Sequence, residues 1–365
     1  MNNSAQRVDD LGADLEGVPM SLLPSSPAAG RNLFVLGGGG ALGAYQAGAL
    51  RSLVEHGIVP DAMFGASVGA LNAAFLASDP GPTRAAELVS WWSNDRTHEV
   101  LTPSLWGRIR GMTSAALGGR NALFDERPLR RLILRHVGAH DIAELAVPLT
   151  VTTTCLDCGE AVHHTRGAVG DVLVATCALP GLFPATRLLD GHRHVDGGVL
   201  CGVPVNAALA VAGPDDRVFV LDCALAPVTS RSGCAAPALS GYAEAEACGL
   251  APLSGGRPYV APVESHRGLL QVVLDSFTVA RAAANRAAVG SGLEDPRVLV
   301  LPHVADAWAA GLLERLPAGP RDLSVVSELL AAGFDATQRW LADRDRRAVA
   351  AGDRGRGDNG EHELS

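Results

Sequence analysis

The sequence lacks a block of basic residues, although its 365 residues include 30 Lys and Arg. The net charge is −9, and the arginines stand singly through the middle of the chain rather than in a cluster. A protein that binds nucleic acid electrostatically needs a basic stripe or patch. We therefore expect no nucleic-acid partner and no general adhesion to anionic lipid.

The chain also lacks the regular cysteine pattern of a disulfide framework. Its seven cysteines are irregularly spaced and odd in number, which suits a reducing compartment. Cys155 and Cys158 form one C-x-x-C motif, but no second pair completes a zinc site. The preferred interpretation is that they are small apolar residues in and after a buried strand, with metal or redox use as the alternative. We therefore expect no metal and no cofactor.

No leader or membrane anchor is evident in the sequence. The first 30 residues contain four acidic residues and no apolar stretch after a basic start, unlike a signal peptide. Residues 32–50 are uncharged, but their glycines and the polar Asn32, Tyr45 and Gln46 disfavour a lipid-exposed helix. The expected location is cytoplasmic, with at most peripheral contact at a membrane surface.

What the chain does have is enough apolar residues for a large core, since 47% are hydrophobic and 19% charged. The polar residues 1–29 and the charged residues 343–365 are expected to be disordered, because neither segment can bury enough apolar surface. Between them, residues 30–342 are predicted to form one domain. Residues 224–265, rich in Ala, Gly, Pro and Ser, are predicted to be a long surface excursion.

Short apolar runs alternate with segments of helical periodicity, which predicts an α/β fold. The expected architecture has three layers, α/β/α, around a mostly parallel central sheet. Strands are predicted at 32–36, 62–66, 148–155, 217–222 and 297–301. Helices are predicted at 44–56, 68–77, 83–93, 126–137, 170–178, 267–289 and 321–342, with Gly57 ending the first and Pro180 stopping the fifth.

A G-x-S-x-G motif lies between the second predicted strand and the helix after it. Ser67 stands at its centre, flanked by Gly65 and Gly69. On such a strand-to-helix turn, the strained serine projects its Oγ out of the sheet, and the glycines remove Cβ clashes. The motif predicts a nucleophilic serine, although a glycine-rich turn that packs a helix on a sheet would look the same.

A run of glycines follows the first predicted strand directly. Consecutive glycines can point their backbone N–H groups into one concavity, which suits an oxyanion or a phosphate. We expect the oxyanion-hole residues to be Gly38, Gly39, Gly40, Ala41 and Gly43. Each N–H donor in such a site typically stabilises a tetrahedral transition state by about 3 kcal/mol.

The same glycines permit a rival interpretation, a dinucleotide-binding fold. Gly38, Gly40 and Gly43 satisfy G-x-G-x-x-G, and Asp61 lies about where a ribose-binding acid would. Against this, a dinucleotide site has no use for the second glycine-flanked turn around Ser67. We prefer a hydrolase, and keep the nucleotide-binding protein as an alternative.

An acid followed by two glycines completes the set, at Asp196, Gly197 and Gly198. Taken alone, Asp-Gly-Gly is usually a turn. It gains interest because a nucleophilic serine needs a base, and the glycines let another stretch of backbone approach the acid closely.

Together these motifs resemble those of the patatin-like phospholipase family, which carries a glycine-rich oxyanion loop, a G-x-S-x-G elbow and a D-G-[GA] acid in this order. Residues 180–184, Pro-Gly-Leu-Phe-Pro, are also similar to a proline-bracketed block of that family. The resemblance covers residues 31–223 strongly, and residues up to 342 more loosely. It implies a modified α/β-hydrolase architecture and a lipid or phospholipid substrate.

The resemblance further implies a catalytic dyad without histidine, in which Asp196 takes the Ser67 proton and later activates water. The pKa of such a carboxylate should be raised by burial, since it is otherwise a weak base at neutral pH. One position departs from the family, because Leu42 stands where a basic residue usually precedes the last loop glycine. A catalytically silent lipid-binding scaffold is the remaining alternative.

A conventional triad would instead place a histidine after the acid. His266 and His303 follow Asp196 in the chain, and His192 and His194 precede it closely. We interpret His266 and His303 as surface or loop residues, whereas His192 and His194 could hydrogen-bond near the acid, and we prefer the dyad to the triad. Residues 100–124 alternate apolar side chains such as Trp106 with arginines, which suits a lid for lipid chains but equally an ordinary packed helix. The sequence indicates no oligomeric state.

Overall fold

A computed structural model describes residues 30–94, 122, 124–223, 269–303 and 323–357. The predicted disordered segment 1–29 and the predicted surface excursion 224–265 lie outside the described residues. So do His266 and nearly all of the predicted lid.

Eight strands and eight α-helices are described. The strands are β1 (Asn32–Leu36), β2 (Ala62–Ala66), β3 (Leu149–Cys155), β4 (Ala161–His164), β5 (Thr186–Arg187), β6 (Arg193–Asp196), β7 (Arg217–Leu221) and β8 (Val298–Val300). The helices are α1 (Gly43–Glu55), α2 (Val68–Ala77), α3 (Pro82–Trp92), α4 (Arg127–Val137), α5 (Val169–Thr176), α6 (Val205–Leu209), α7 (Leu269–Gly292) and α8 (Leu323–Gly357). Every strand and helix predicted from periodicity is present, and all of their ends except the end of α8 lie within a few residues of the expected bounds. Strands β4, β5 and β6 and the short helix α6 were not predicted.

The strands form one sheet in the order β5-β6-β3-β2-β1-β7-β8, with β4 paired to β3. Strands β1, β2, β3, β7 and β8 run parallel to one another, whereas β4 and β6 pair antiparallel with β3, and β5 pairs antiparallel with β6. The mostly parallel central sheet is therefore confirmed. Its antiparallel pairs are β3–β4, β3–β6 and β5–β6.

Strands β2 and β6 both pair with the same edge of β3, one after the other along its length. Thr152 of β3 is paired with Ala66 of β2 on one side and with β4 on the other, while Thr153 is paired with Asp196 of β6 and also with β4. Because β4 occupies one edge, β2 and β6 must follow one another along the opposite edge. The end of β2 therefore meets the end of β6, which brings the turn after Ala66 beside Asp196.

The two faces of the sheet are both covered by helices, as alternate residues of β1 show. Phe34 and Leu36 pack into a large apolar cluster with α1, α2, α3, α4, α5 and α8. Leu33 and Val35 face the other way, into a smaller cluster with α6 and α7. All five residues of β1 are buried, as expected for a central parallel strand. The three-layer α/β/α architecture is thus confirmed.

Helices α1 and α8 touch through glycines. A Cβ atom added to Gly48 would lie 2.0 Å from the Leu330 carbonyl oxygen, and one added to Gly333 would lie 2.0 Å from that of Tyr45. Neither helix could carry a larger residue at these points without moving away. The pair of glycines therefore sets how closely α8 covers the outer side of α1.

Two expected boundaries differ from the structure. Helix α8 continues through Gly357, past the expected domain boundary at residue 342; residues 358–365 lie outside the described residues. Asp343 pairs with Arg346 at 3.3 Å and with Arg347 at 2.8 Å, spacings of three and four residues that support a helix. Helix α5 ends at Thr176, before Pro180 could stop it.

Candidate active site

Ser67 lies between β2 and α2 with a strained backbone. Its φ of 53° makes it the one non-glycine residue with positive φ in the part of the chain that the structure describes. A conformation of this kind costs free energy and persists only where the surroundings enforce it. Here a Cβ atom on Gly65 would lie 2.6 Å from the Ala70 Cα, and one on Gly69 would lie 2.2 Å from the Leu36 carbonyl oxygen. Both flanking glycines are therefore required by close packing.

A buried threonine holds the backbone of this turn. The Ser67 N–H donates to Thr176 Oγ1 at 2.9 Å, and the Thr176 hydroxyl donates to the Thr152 carbonyl oxygen at 2.5 Å. The Ser67 N–H is thus used to fix the turn against β3.

Asp196 lies directly against Ser67, as the shared edge of β3 requires. The Ser67 hydroxyl donates to Asp196 Oδ2 at 2.6 Å, across 129 positions of sequence. The other carboxylate oxygen, Oδ1, accepts the Gly198 N–H at 2.7 Å. A Cβ on Gly197 would lie 2.3 Å from the Thr152 carbonyl oxygen, so this glycine allows the acid to sit against β3.

The environment of Asp196 raises its pKa above the ordinary value. The dominant cause is burial, since only 2% of the residue is exposed. The Ser67 hydrogen bond, the charge of Arg281 and the Gly198 N–H act in the opposite direction and lower the pKa, but they do not offset the burial. The carboxylate is consequently a stronger base than an exposed aspartate.

Arg281, from α7, supplies a positive charge beside the acid. Its side chain packs over the turn at Gly198, where an added Cβ would lie 2.8 Å from the Arg281 Cδ. The Nε atom is buried and has no hydrogen-bond partner among the described residues. Arg281 therefore places a cation at the site even though the loop residue Leu42 does not.

The glycine loop approaches Ser67 closely at Gly38, where an added Cβ would lie 3.0 Å from the Ser67 Cβ. Two N–H groups of this loop already have acceptors. The Gly38 N–H donates to the Gly202 carbonyl oxygen at 3.0 Å, and the Gly43 N–H donates to the carbonyl oxygens of Gly40 and Ala41. They are not free to receive an oxyanion in this arrangement.

The N–H groups between those two positions differ. The Gly39 N–H has no hydrogen-bond partner within the described residues. Residues Gly40–Leu42 form a 3₁₀ turn whose first bond runs from the Leu42 N–H to the Gly39 carbonyl oxygen. The N–H groups of Gly40 and Ala41 therefore precede the first intrahelical bond and have no acceptor inside the turn. Gly40 has a φ of 58°, which favours glycine.

A buried amide network fixes the loop at both ends. Gln46 Nε2 donates to the carbonyl oxygen of Gly37 at 3.3 Å, and Asn72 Nδ2 donates to that of Gly43 at 2.9 Å. The two amides bond to each other at 2.8 Å, and the Trp92 Nε1–H donates to Asn72 Oδ1 at 2.9 Å. Because Asn72 lies on α2, the network ties the glycine loop to the helix that follows Ser67.

No described histidine bonds to the Ser67–Asp196 pair. His194 Nδ1 and Nε2 lie 2.8 Å from Thr153 Oγ1 and 2.8 Å from Asp190 Oδ2, and His192 Nδ1 lies 3.6 Å from Cys155 Sγ. His303 is buried after β8. The conventional triad therefore finds no support among the described residues.

The acid required by the dinucleotide alternative lies at the wrong end of the sheet. Asp61 precedes β2, and its Oδ2 accepts the Asn32 N–H at 2.7 Å at the start of β1. A ribose-binding acid would have to lie at the carboxyl ends of the strands, where the glycine loop is. Asp61 instead holds the amino ends of two strands together, so the alternative loses its second feature.

Sequence reasoning missed several residues of the site: Arg281, Thr176, Gln46, Asn72 and Trp92. None belongs to a short motif, and each reaches the site from a separate helix. Cys177 was missed as well. It lies close enough to bond Ser67, and burial raises its thiol pKa well above the ordinary value, which keeps the thiol neutral.

Comparison with known proteins finds a family match within this chain. Residues 34–209 match the sequence profile of the family described as Patatin-like phospholipase. This stretch contains the glycine loop, Ser67 and Asp196. The match supports the patatin-like phospholipase family, as the motifs predict.

Individual relatives agree with that placement. Patatin-like phospholipase domain-containing protein 7 of Rattus norvegicus is 30% identical over 175 residues, which are 48% of this chain and 12% of that protein. Lysophospholipase NTE1 of Mycosarcoma maydis is 29% identical over 189 residues, or 52% of this chain and 9% of that protein. The chain thus spans only a small part of the length of these relatives.

A solved structure, that of VipD from Legionella pneumophila, covers 87% of this chain and 68% of its own. It is 14% identical to this chain, with a TM-score of 0.41. Within the described residues, no helix is both long and apolar enough to cross a membrane.

Proposed function

We propose that this protein is a serine acyl hydrolase that cleaves carboxylic ester bonds of phospholipids or other lipids, with Ser67 as nucleophile and Asp196 as base. The single observation that carries the proposal is the 2.6 Å hydrogen bond from the Ser67 hydroxyl to a buried carboxylate of raised pKa. A base must lie within hydrogen-bond reach of the proton that it removes. The match to the patatin-like phospholipase family supports a lipid ester as the substrate class.

In the proposed reaction, Asp196 takes the Ser67 proton while Oγ attacks the ester carbonyl carbon. The tetrahedral intermediate collapses to an acyl-serine, and the leaving alcohol takes the proton from Asp196. A water molecule then gives a proton to Asp196 and attacks the acyl carbon. The carboxylic acid leaves, and the proton returns to Ser67 Oγ. The pair is restored, and no metal or cofactor enters the reaction.

The proposed oxyanion donors are the N–H groups of Gly39, Gly40 and Ala41. They come from the loop that packs against Ser67, and their hydrogen bonds are not committed within the turn. Each donor of this kind contributes about 3 kcal/mol to stabilising the transition state. Gly38 and Gly43, which the motif also suggests, would instead keep the loop in shape.

The proposal is tested with the variants Ser67→Ala and Asp196→Asn, assayed on a p-nitrophenyl ester and on phosphatidylcholine vesicles. Each should lower kcat by about four orders of magnitude, because loss of either member of such a unit removes covalent catalysis. Ser90→Ala and Asp79→Asn change exposed residues of the same types and should retain full activity.

A fluorophosphonate probe distinguishes the nucleophile directly, since it should label the wild type at Ser67 and fail to label Ser67→Ala. Full activity in either dyad variant, with an unchanged circular dichroism spectrum, would reject the assignment. Release of fatty acid from vesicles by the wild type, measured by mass spectrometry, should identify a lipid ester as substrate. Turnover of the soluble ester alone would reject lipid as the substrate class.

A further inference from the structure

A second cluster of reactive side chains lies at the far end of β3, apart from the dyad. Cys155 ends the strand, Cys158 lies in the turn that follows, and His192 lies between β5 and β6. One ligand atom from each, two Sγ atoms and a ring nitrogen, lie within 4.8 Å of one another. The sequence showed the two cysteines but gave no reason to join a histidine 34 positions after Cys158 to them.

The spacing of these atoms fits a tetrahedral metal ion. Cys155 Sγ and His192 Nδ1 are 3.6 Å apart. Two ligands that bind zinc at about 2.3 Å for sulfur and about 2.0 Å for nitrogen, with a tetrahedral angle between them, lie about 3.5 Å from each other. The pair is therefore already at the separation that a shared ion requires.

The backbone around the cluster is held independently of any ion. The Cys158 N–H points at Cys155 Sγ at 3.2 Å, which stabilises negative charge on that sulfur. The Leu156 N–H donates to the Arg193 carbonyl oxygen at 2.8 Å, and the side chains of Arg193 and Asp157 pair at 2.6 Å. These contacts fasten the C-x-x-C turn to the β5–β6 hairpin, so the three ligands are brought together before an ion binds.

We propose that Cys155, Cys158 and His192 bind one Zn²⁺ ion. Thiolate and imidazole ligands favour zinc, whereas Mg²⁺ and Ca²⁺ prefer oxygen ligands. Three protein ligands leave a fourth position open, and because Cys158 and His192 are exposed, water fills it. The ion fastens the turn after β3 to the hairpin that leads into β6. It does so four positions before Asp196, and takes no part in ester cleavage.

The test uses the full chain, reduced, stripped of metal with EDTA and then incubated with excess Zn²⁺, and measures by atomic emission the zinc retained after gel filtration. The wild type should retain roughly one Zn²⁺ per chain. Co²⁺ in its place should give the intense d–d bands of a tetrahedral site together with a thiolate-to-cobalt charge-transfer band. Both readouts are independent of hydrolase activity, so they separate this proposal from that of the dyad.

Cys158→Ser and His192→Gln should each reduce bound zinc severalfold and abolish the tetrahedral cobalt spectrum. Both side chains are exposed, so these variants should fold, as circular dichroism would verify. The matched controls Cys201→Ser and His140→Gln lie outside the cluster and should retain zinc at the wild-type level. Zinc retention by either ligand variant, or no zinc in the reduced wild type, would overturn the proposal. The proposal would also be overturned by a mass spectrum in which Cys155 and Cys158 remain joined as a disulfide after treatment with reductant.

Discussion

Two opposed electrostatic influences act on Asp196, and their balance sets the pH range in which it can act as the proposed base. Burial raises its pKa, while the nearby charge of Arg281 lowers it. Only the ionised carboxylate can take the Ser67 proton, so ester cleavage should increase as pH rises through this pKa. The arginine therefore extends activity to lower pH than burial alone would permit.

Arg281→Met should move the acid limb of the kcat/KM profile to higher pH. The methionine keeps an apolar stem over Gly198 but removes the charge that favours the ionised acid. The measurement is the apparent pKa of kcat/KM on a soluble ester. Arg281→Lys should restore the wild-type limb, and Arg286→Met, further along the same helix, should leave it in place. A limb unmoved in Arg281→Met would mean that the charge does not act on the acid.

At the scale of secondary-structure elements, the packing of α1 against α8 depends on two positions without a side chain. The neighbours of Gly48 and Gly333 are backbone carbonyl groups, which cannot move aside as a flexible side chain can. Overpacking of this kind forces the elements apart.

Gly333→Ala should lower the free energy of unfolding by about 1–3 kcal/mol, because the new methyl group would lie 2.0 Å from the Tyr45 carbonyl oxygen. Gly290→Ala is the matched control within α7. Nothing lies within 4 Å of the Cβ it would add, so helix propensity alone should stabilise the protein by about 0.5–1 kcal/mol. Urea unfolding monitored by circular dichroism measures both. Equal effects of the two substitutions would contradict the close helix contact.

For the whole molecule, stability in acid depends on carboxylates that the fold keeps ionised. Burial alone would raise the pKa of Asp216, but hydrogen bonds from Arg31 and from the Gly213 N–H outweigh it and hold the pKa below the ordinary value. Hydrogen bonds from Arg193 and Arg297 lower the pKa of Asp157 and of Asp295 to about 2 each. A lowered folded-state pKa stabilises the protein above the unfolded value of about 3.9, and this stabilisation is lost as pH falls toward the folded value.

Asp216→Asn should lower the free energy of unfolding at pH 6 by about 3 kcal/mol, since it leaves the buried Arg31 without its partner. The deficit should shrink at pH 3, because below the unfolded pKa of about 3.9 the unfolded chain takes up a proton at this carboxyl, and the stabilisation that the lowered folded-state pKa gives is progressively lost. Urea unfolding at the two pH values measures the difference. Asp215→Asn changes the exposed neighbour and should cost little at either pH. A deficit of the same size at both values would show that Asp216 does not remain ionised in the fold.

The sequence was sufficient to predict the features that produce a local pattern of residues. Apolar periodicity predicted the central parallel strands and the long helices, because burial on two faces or on one stripe imposes that period. Ser67 and Asp196 were found because each needs neighbouring glycines for steric reasons, and glycine clusters are visible in a sequence. Strands β4, β5 and β6 are short and partly exposed, so periodicity gave no signal for them.

The rest depends on contacts between distant segments. Three residues reach the site from three separate helices: Arg281, Gln46 and Asn72. No local motif surrounds any of them, because their neighbours in sequence are ordinary helix residues. His192 likewise lies close to the C-x-x-C turn only because β6 pairs with β3. Strand pairing at such sequence distances is a property of topology, which local propensity does not encode.

Because β2 and β6 lie end to end along one edge of β3, strand β3 fixes the distance between the two residues of the proposed dyad. Thr152 is paired with the residue before Ser67, and the next residue of β3, Thr153, is paired with Asp196. Shifting β6 by a single position would turn the carboxylate to the opposite side of the sheet. The spacing between the proposed nucleophile and the proposed base is thus one residue step of a buried strand, and neither a mobile loop nor a hinge has to supply it.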